Sequence, residues 1–183
     1  KISVDSSNLM NKVFEVIEAY RIFNFDKKKY KIIIHPQSYV HSIIRFKNGI
    51  TKMILYNADM KIPISNILYN NDNVYLKDKN LNIKILNKMQ FFKINFKKFP
   101  SVKIIDKCLN LGQSTSIIVN AANEVLVKLF LDEKIKFLDI VSTINKIFRH
   151  KDFKKYAKKK PKSVKDIISV DNWARQKTIE ICV

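Results

Sequence analysis

The chain has 183 residues, of which 46% are hydrophobic, so it can build a core and is not expected to be disordered throughout. Its formal net charge of +19 comes mainly from lysine. Lysine, asparagine and isoleucine all have AT-rich codons, so codon bias explains why the three are abundant together. We therefore expect no nucleic-acid partner. No apolar run approaches the roughly 18 to 20 residues of a membrane-spanning helix, so we expect a soluble protein without a membrane partner.

The opening residues predict a short strand followed by a helix. KISV has the composition of a β-strand, and because Lys1 is not a methionine we expect a piece of a longer protein. Residues 8 to about 24 predict a helix, since apolar side chains recur there every three or four positions. Asp5, Ser6 and Ser7 precede this helix and are expected to cap its first amides.

The next segments predict β structure. Residues 30–35 are rich in β-branched side chains and predict a buried strand. Residues 39–47 and 50–56 flank Asn48-Gly49, a dipeptide that readily forms a two-residue hairpin turn. We therefore expect a β-hairpin at this point of the chain.

The remaining residues predict a linker and then helices. Residues 70–82 are polar, dense in Asn and Asp and without helical periodicity. Four helices, typical of a bundle, are predicted at residues 102–111, 114–131, 138–149 and 164–181. The predicted fold class is α+β, in three parts: residues 1–69 with a small sheet and helices, a linker at 70–96, and a four-helix-bundle-like domain at 97–183.

One lysine-rich segment stands apart from the scattered charge. Residues 151–162, KDFKKYAKKKPK, place Phe153 and Tyr156 among lysines. Because charge runs are usually solvated, we interpret this segment as an exposed loop between helices. The alternative, a basic nucleic-acid-binding module, predicts RNA binding that weakens steeply with salt.

Few residues elsewhere could carry chemistry. Gly49 and Gly112 are the two glycines of the chain, which excludes a glycine-rich phosphate loop within it. His35 and His41 lack zinc-site spacing and the partner residues that a catalytic base needs, so we interpret them as structural.

The two cysteines bear on location. Cys108 and Cys182 are isolated and lack metal-ligand spacing, and the opening residues show no secretory signal pattern. We therefore expect a reducing, cytoplasmic setting.

The start of the first predicted helix is the best candidate site. Free amides there carry partial positive charge, and Ser6, Asn11 and Lys12 add a hydroxyl, an amide and an ammonium, a set suited to a phosphate. Glu15, one turn beyond, would repel that phosphate unless a divalent cation lay between them. A phosphorylated, metal-chelating ligand is one interpretation; an ordinary capped helix with a Lys-Glu pair is the other. A metal would need at least one more carboxylate from elsewhere.

Residues 1–19, KISVDSSNLMNKVFEVIEA, resemble the segment KISVDSATMMNK-LE-IEA of the 1-deoxy-D-xylulose 5-phosphate reductoisomerase family. Further segments resemble that family in the same order along the chain: IHPQSYVHSIIRF, ADMKIPI, FPSVKIIDKCLNLGQS, IVNAANEVLVKLFL, IKFLDI and ISVDNWAR. Because these segments cover nearly the whole chain, it is identified as a member of this family.

The resemblance implies an oxidoreductase that uses NADPH and Mg²⁺ or Mn²⁺ to convert 1-deoxy-D-xylulose 5-phosphate to 2-C-methyl-D-erythritol 4-phosphate in the non-mevalonate isoprenoid pathway. It implies a V-shaped subunit of a homodimer, with residues 1–69 in the catalytic and dimerisation domain and residues 97–183 as the C-terminal helical domain. The dinucleotide-binding domain and the other acidic metal ligands would lie outside this chain, so the chain alone is expected to be inactive. The alternative is a decayed gene product that keeps the fold without the function.

The family motif implies roles for the residues of the candidate site. Ser6, Asn11 and Lys12 would bind the substrate phosphate, with Lys12 as the ion-pairing group. Glu15 would bind the metal and contact the oxygenated carbons of the substrate, which makes Glu15 and Lys12 the catalytic candidates. Residues 120–124, NAANE, would be structural in the bundle.

On the cofactor side, the resemblance implies that His41 and Met60 lie near the nicotinamide half of NADPH. The sequence departs from the family at Ala58, where proline is usual, at Val13, where glycine is usual, and within residues 68–71, where a Trp-Pro pair is lost. These departures are expected to weaken the cofactor contacts more than the phosphate site.

Overall fold

The computed structural model describes residues 2–69 and 82–182, and these fall into two compact units. The helical unit comprises the described parts of Lys1–Lys31 and Asn95–Val183, and the hairpin unit comprises those of Ile32–Ile94. The opening helices therefore pack with the C-terminal helices, whereas the division made from sequence groups them with the hairpin in residues 1–69. Residues 70–81 of the predicted linker lie outside the described residues.

The described elements are mainly helical, with short strands, as the predicted α+β class requires. In chain order they are α1 (Ile2–Ser7), α2 (Met10–Phe23), a 3₁₀ turn (Lys27–Lys29), β1 (Ile33–Ile34), β2 (Val40–Arg45), β3 (Thr51–Leu55), α3 (Lys61–Leu68), α4 (Ile83–Leu86), β4 (Phe92–Lys93), a 3₁₀ turn (Pro100–Lys103), α5 (Ile104–Asn110), α6 (Thr115–Leu131), α7 (Phe137–Ile147), α8 (Phe153–Ala157) and α9 (Val164–Cys182). The helices α2, α5, α6, α7 and α9 confirm the five helices predicted from apolar periodicity. No helix among the described residues is long and apolar enough to cross a membrane.

The core of the helical unit is built around α6. This helix buries Ile118, Ala122 and Leu126 and packs against α5, α7, α8 and α9. The α2 helix adds Met10 and Val13, which are fully buried at the helical spacing seen in the sequence. Val13, where the family usually has glycine, therefore fills a core position.

The opening residues differ from the sequence-based expectation. KISV does not form a strand; residues 2–7 form α1, because Val4 reaches the core and its carbonyl accepts the Asn8 amide at 3.2 Å. The expected caps of α2 are also wrong, since Asp5, Ser6 and Ser7 lie within α1. Asn8 takes that role instead, and its Oδ1 accepts the Met10 amide at 2.9 Å.

The predicted hairpin is confirmed in the hairpin unit, where β2 and β3 pair antiparallel. Its turn is not the expected two-residue turn: the Phe46 amide donates to the Ile50 carbonyl and the Gly49 amide to the Phe46 carbonyl. This pattern closes a three-residue loop whose last residue, Gly49, has a φ of +90°. The predicted buried strand is reduced to β1, which pairs with β4 and leaves Ile33 exposed.

The sequence analysis missed three short helices. The α3 and α4 helices lie in the hairpin unit, and α8 lies in the lysine-rich segment that was interpreted as a loop. Phe153 and Ala157 of α8 are buried, while the lysines between and after them are exposed. The interpretation of this segment as a loop is therefore wrong for residues 153–157, although its charge is solvated as expected.

Candidate functional site

The predicted phosphate-binding residues meet where α1 gives way to α2. Residues 5–12, called here the α1–α2 joint, turn at Leu9, whose φ of 61° lies in the left-handed region. This turn brings the side chains of the two helices together, and Asn11 Nδ2 donates to Ser6 Oγ at 3.4 Å. The joint thus places a hydroxyl and an amide side by side.

Lys12 and Glu15 form an ion pair on the exposed face of α2. Lys12 Nζ lies 2.9 Å from both carboxylate oxygens of Glu15, and the two side chains are 44% and 54% exposed. Exposed pairs of this kind contribute only about 0.2 to 1 kcal/mol to stability. Each of the two groups can therefore leave this ion pair and bind a ligand instead at little energetic cost.

The chemistry of this group suits an anion at one end and a cation at the other. Ser6, Asn11 and Lys12 can each donate a hydrogen bond, and Glu15 supplies a carboxylate that accepts a divalent cation. Among residues 2–69 and 82–182, no three or more His, Cys, Asp or Glu side chains are grouped closely enough to hold a metal. Glu15 alone does not make a metal site, and any metal that it held would need further ligands besides it.

Two buried hydrogen bonds tie the α1–α2 joint to the C-terminal helices. Asn123, in the middle of α6, donates from Nδ2 to Asp5 Oδ1 at 2.9 Å. Ser101, in the 3₁₀ turn before α5, donates from its hydroxyl to the backbone carbonyl of Asn8. Neither residue was singled out from the sequence as part of a site. The available signal was a polar residue, Asn123, on the same helical stripe as the apolar Val119 and Leu126.

The two residues expected on the cofactor side lie in the hairpin unit. His41, on β2, stacks on Tyr56 with ring centroids 3.7 Å apart, and its Nε2 lies 3.0 Å from the Tyr56 carbonyl oxygen. Met60 stands just before α3 and is 68% exposed. These contacts support the structural interpretation of His41, while the exposed thioether of Met60 is open to a ligand.

His35 and the cysteines supply no further chemistry. His35 Nδ1 lies 2.9 Å from the Gln90 carbonyl oxygen, and its ring stacks on Phe91. Burial raises the pKa of the Cys108 thiol to about 12, so this thiol stays protonated and is a poor nucleophile or metal ligand.

Comparison with known proteins identifies a single family. The model of the DXP reductoisomerase C-terminal domain matches residues 55–177. The 1-deoxy-D-xylulose 5-phosphate reductoisomerase of Pelagibacter ubique is 42% identical over 183 residues, 100% of this chain and 47% of that protein. The enzyme of Zymomonas mobilis is 34% identical over 175 residues, which is 96% of this chain and 44% of that protein.

Solved structures of the same enzyme share the fold. The reductoisomerase from Zymomonas mobilis in complex with NADPH superposes with a TM-score of 0.88 at 31% identity, over 99% of this chain and 47% of that one. A DOX-P reductoisomerase in complex with NADPH, fosmidomycin and magnesium gives a TM-score of 0.93 at 28% identity, over 99% and 45%. The chain thus spans less than half the length of the relatives that it matches.

Proposed function

Because the chain belongs to the 1-deoxy-D-xylulose 5-phosphate reductoisomerase family, we propose that it forms the C-terminal part of an enzyme that converts this substrate to 2-C-methyl-D-erythritol 4-phosphate. The reaction would use NADPH and Mg²⁺ or Mn²⁺ and belong to isoprenoid biosynthesis. The observation that carries the proposal is the pair of contacts at the α1–α2 joint and the start of α2: Asn11 donates to Ser6, and Lys12 pairs with Glu15.

We assign the substrate phosphate to Ser6, Asn11 and Lys12. The Ser6 hydroxyl and the Asn11 amide already lie side by side, and Lys12 adds a positive charge one residue further on. When the phosphate binds, the Lys12 ammonium would turn from Glu15 to the phosphate oxygens. Because the phosphate does not react, this binding energy serves to position the reacting carbons.

We assign one metal coordination position to Glu15. Its carboxylate is more than half exposed and forms an ion pair with Lys12, so release of the lysine makes both oxygens available to a metal. The bound metal would act as a Lewis acid on the oxygens of the substrate. Relatives described in complex with magnesium support this assignment.

We assign the cofactor side to the hairpin unit. Met60 offers an exposed, polarizable thioether that suits contact with a flat ring. His41, held against Tyr56, would contribute to the same nicotinamide pocket as a fixed aromatic surface. Relatives described in complex with NADPH support the choice of cofactor.

We also propose that residues 1–69 complete the catalytic and dimerisation domain and that residues 97–183 form the helical domain that supports it. The hairpin exposes Ile44 and Ile54 on one face of the strand pair and Ile43 and Met53 on the other, and a second subunit would cover the face of Ile44 and Ile54. Ile44→Lys should therefore dissociate the full-length protein in sedimentation velocity. Ile67→Lys, on the exposed face of α3, is the matched control and should leave the dimer intact.

A cytoplasmic location fits the thiols. Cys108 and Cys182 are both free, and Cys108 lies in the core of the helical unit. Fractionation of the native cells should recover the protein with the cytoplasmic markers. Recovery with an exported fraction would contradict this part of the proposal.

The nucleic-acid alternative loses support from the packing of α8. Tyr156, the aromatic residue that could stack on a base, instead stacks on Trp173 with centroids 4.3 Å apart. Phe153 is buried. Both aromatic side chains of this segment are therefore engaged in packing, which argues against base stacking beside its lysines.

Two variants of α2 test the proposed function. In the full-length protein, Glu15→Gln removes the metal-binding charge and should lower kcat by at least ~100-fold, since Lewis-acid stabilisation contributes several kcal/mol. Glu18→Gln, on an exposed position of the same helix, is the control and should match the wild type. Equal activity of both variants would contradict the metal assignment, and an inactive wild-type protein would favour the decayed-gene alternative.

A further inference from the structure

The buried pair of Asp5 and Asn123 joins residues 118 positions apart in the sequence. Asp5 is 6% exposed and Asn123 is fully buried, so this carboxylate has been taken out of water. Burial of a carboxylate is costly unless it is hydrogen-bonded, and Asn123 Nδ2 supplies such a bond at 2.9 Å. Among the described residues, Asn123 Oδ1 has no hydrogen-bond partner, so the bond from Asn123 Nδ2 to Asp5 alone fixes the orientation of the amide.

A second anchor holds the other side of the turn. Ser101 is fully buried, and its hydroxyl donates to the Asn8 carbonyl. Asn8 itself is buried, and its Oδ1 accepts the first amide of α2. The two anchors, which are the hydrogen bonds from Asn123 and from Ser101, therefore hold the α1–α2 joint at Asp5 and at Asn8, on either side of Ser6.

The α1–α2 joint needs such anchors because it cannot hold its own shape. The α1 helix has six residues, far fewer than the roughly 12 to 15 that an isolated helix needs to be even marginally stable in water. Leu9 adopts a left-handed conformation that is unfavourable for an L-residue with a side chain. The 3.4 Å contact of Ser6 with Asn11 thus depends on groups outside the joint.

We propose that Asn123 and Ser101 are positioning residues for the phosphate site, acting through Asp5 and Asn8 on Ser6 and Asn11. The inference rests on the proposed function for the identity of the ligand. It assigns part of the helical domain a direct role in substrate affinity, whereas the NAANE segment was expected to be structural only. The structural arrangement itself is independent of which phosphorylated ligand binds.

The test compares variants of the full-length protein. Asn123→Leu removes the donor and keeps the number and branching of the side-chain heavy atoms, and Ser101→Ala removes the second donor with a small loss of volume. Asn120→Leu, one turn earlier on α6, is the matched control. The double variant Asp5→Asn with Asn123→Asp exchanges the two groups and restores an amide–carboxylate hydrogen bond.

The first measurement is steady-state kinetics with 1-deoxy-D-xylulose 5-phosphate, at a temperature where circular dichroism shows each variant folded. Asn123→Leu should raise the KM for this substrate by at least ~10-fold, because small displacements of positioning groups have large effects. The KM for NADPH should stay within twofold, and the exchanged pair should recover most of the loss. A folded Asn123→Leu protein with wild-type KM would overturn the inference; if that variant does not fold, Ser101→Ala decides by the same criterion.

The second measurement is amide hydrogen exchange, which does not depend on activity. In Asn123→Leu, exchange at residues 5–12 should speed up while α7 and α9 keep wild-type rates. Equal acceleration across all helices would show global destabilisation and overturn the inference. If the wild-type protein were inactive, or if Lys12→Met left its KM unchanged, the proposed function alone would fail, and hydrogen exchange would still decide whether the two anchors hold the joint.

Discussion

The helical unit and the hairpin unit differ in how far their apolar side chains are buried. Nearly all of the buried hydrophobic residues among those described belong to the helical unit, from Val4 on α1 to Ala174 on α9. In the hairpin unit, Tyr39 is the single buried hydrophobic residue among those described, and isoleucines on both strands are exposed. The proposed phosphate-binding residues thus lie on a well-packed unit, whereas the proposed cofactor residues lie on elements whose apolar side chains are exposed.

This contrast shows which contacts hold the candidate residues in each unit. Asp5 and Asn8, which flank Ser6 in the chain, accept buried hydrogen bonds from Asn123 of α6 and from Ser101 of the turn before α5. His41 depends on a local contact with its cross-strand neighbour Tyr56, and Met60 is largely exposed. We therefore expect substrate affinity to respond to distant substitutions in the helical unit, and cofactor affinity to respond mainly to local ones.

The largest expected effect is on the core. Ile144→Ala, at a position of α7 that is 1% exposed, should reduce the stability of the helical unit by about 2 to 5 kcal/mol. Ile67→Ala on α3, where the side chain is 79% exposed, should cost less than about 0.5 kcal/mol. Native-state hydrogen exchange of α6 and α3 in the full-length protein measures both. If the two substitutions lowered the free energy of unfolding by similar amounts, the contrast in packing between the two units would be contradicted.

The glycines provide the next comparison. At Gly112, φ is +139° and an added Cβ would overlap the Ala157 carbonyl oxygen, so Gly112→Ala must displace α8 and should cost more than about 2 kcal/mol. At Gly49, φ is +90° but nothing lies within 4 Å of the added Cβ. Gly49→Ala should cost only about 1 to 2 kcal/mol, from its backbone conformation alone. Urea unfolding of the two variants would contradict this account if the order were reversed.

A smaller effect on stability is expected at Arg175 of α9, which pairs with Glu124 of α6 and with Asp171 of its own helix. Arg175 donates to Glu124 and to Asp171 at 2.6 Å, and these carboxylates raise the pKa of its guanidinium further. Because the group is about a third exposed and screened by solvent, Arg175→Met should cost only about 1 kcal/mol. Lys177→Met, which removes an exposed i,i+3 pair, should cost less. Raising the salt concentration should shrink both effects.

The smallest effect is a pH dependence at the start of α9. The amides of Lys162 and Ser163 donate to Asp166 Oδ2, and these hydrogen bonds lower the pKa of the Asp166 carboxyl. A lowered pKa in the folded state means that the contribution to stability is complete above the usual pKa and is lost as the pH falls through the folded value. The difference in melting temperature between the wild type and Asp166→Asn should therefore shrink on acidification. A difference that grows at low pH would contradict the assigned hydrogen bonds.

Local patterns in the sequence predicted most of the helices and the hairpin. Apolar periodicity located α2, α5, α6, α7 and α9, because each buries one stripe against the core. The same reasoning failed for KISV, since four residues cannot distinguish a strand from a helix whose buried side is set by distant partners. The α8 helix was missed because its lysines dominate the composition, while Phe153, Tyr156 and Ala157 pack against the core.

The residues of the candidate site could be named from the sequence, but the contacts that support them could not. The types and spacing of Ser6, Asn11, Lys12 and Glu15 predicted a phosphate and a metal; the structure places Ser6 beside Asn11 and pairs Lys12 with Glu15, and the two ligands stay a prediction. The hydrogen bond from Asn123 to Asp5 spans 118 residues, and no local rule connects such positions. The turn at Leu9 was equally hidden, because leucine rarely adopts a left-handed conformation.

The most direct test of the phosphate site is the KM for 1-deoxy-D-xylulose 5-phosphate in two lysine variants of the full-length protein. Lys12→Met removes the ammonium assigned to the phosphate, and Lys28→Met removes an exposed lysine of the same unit. Hydrogen bonds to charged groups contribute about 1.5 to 3 kcal/mol, so Lys12→Met should raise this KM by at least ~10-fold and leave the KM for NADPH unchanged. Lys28→Met should match the wild type in both. Equal KM values for the two variants would contradict a phosphate site at the α1–α2 joint.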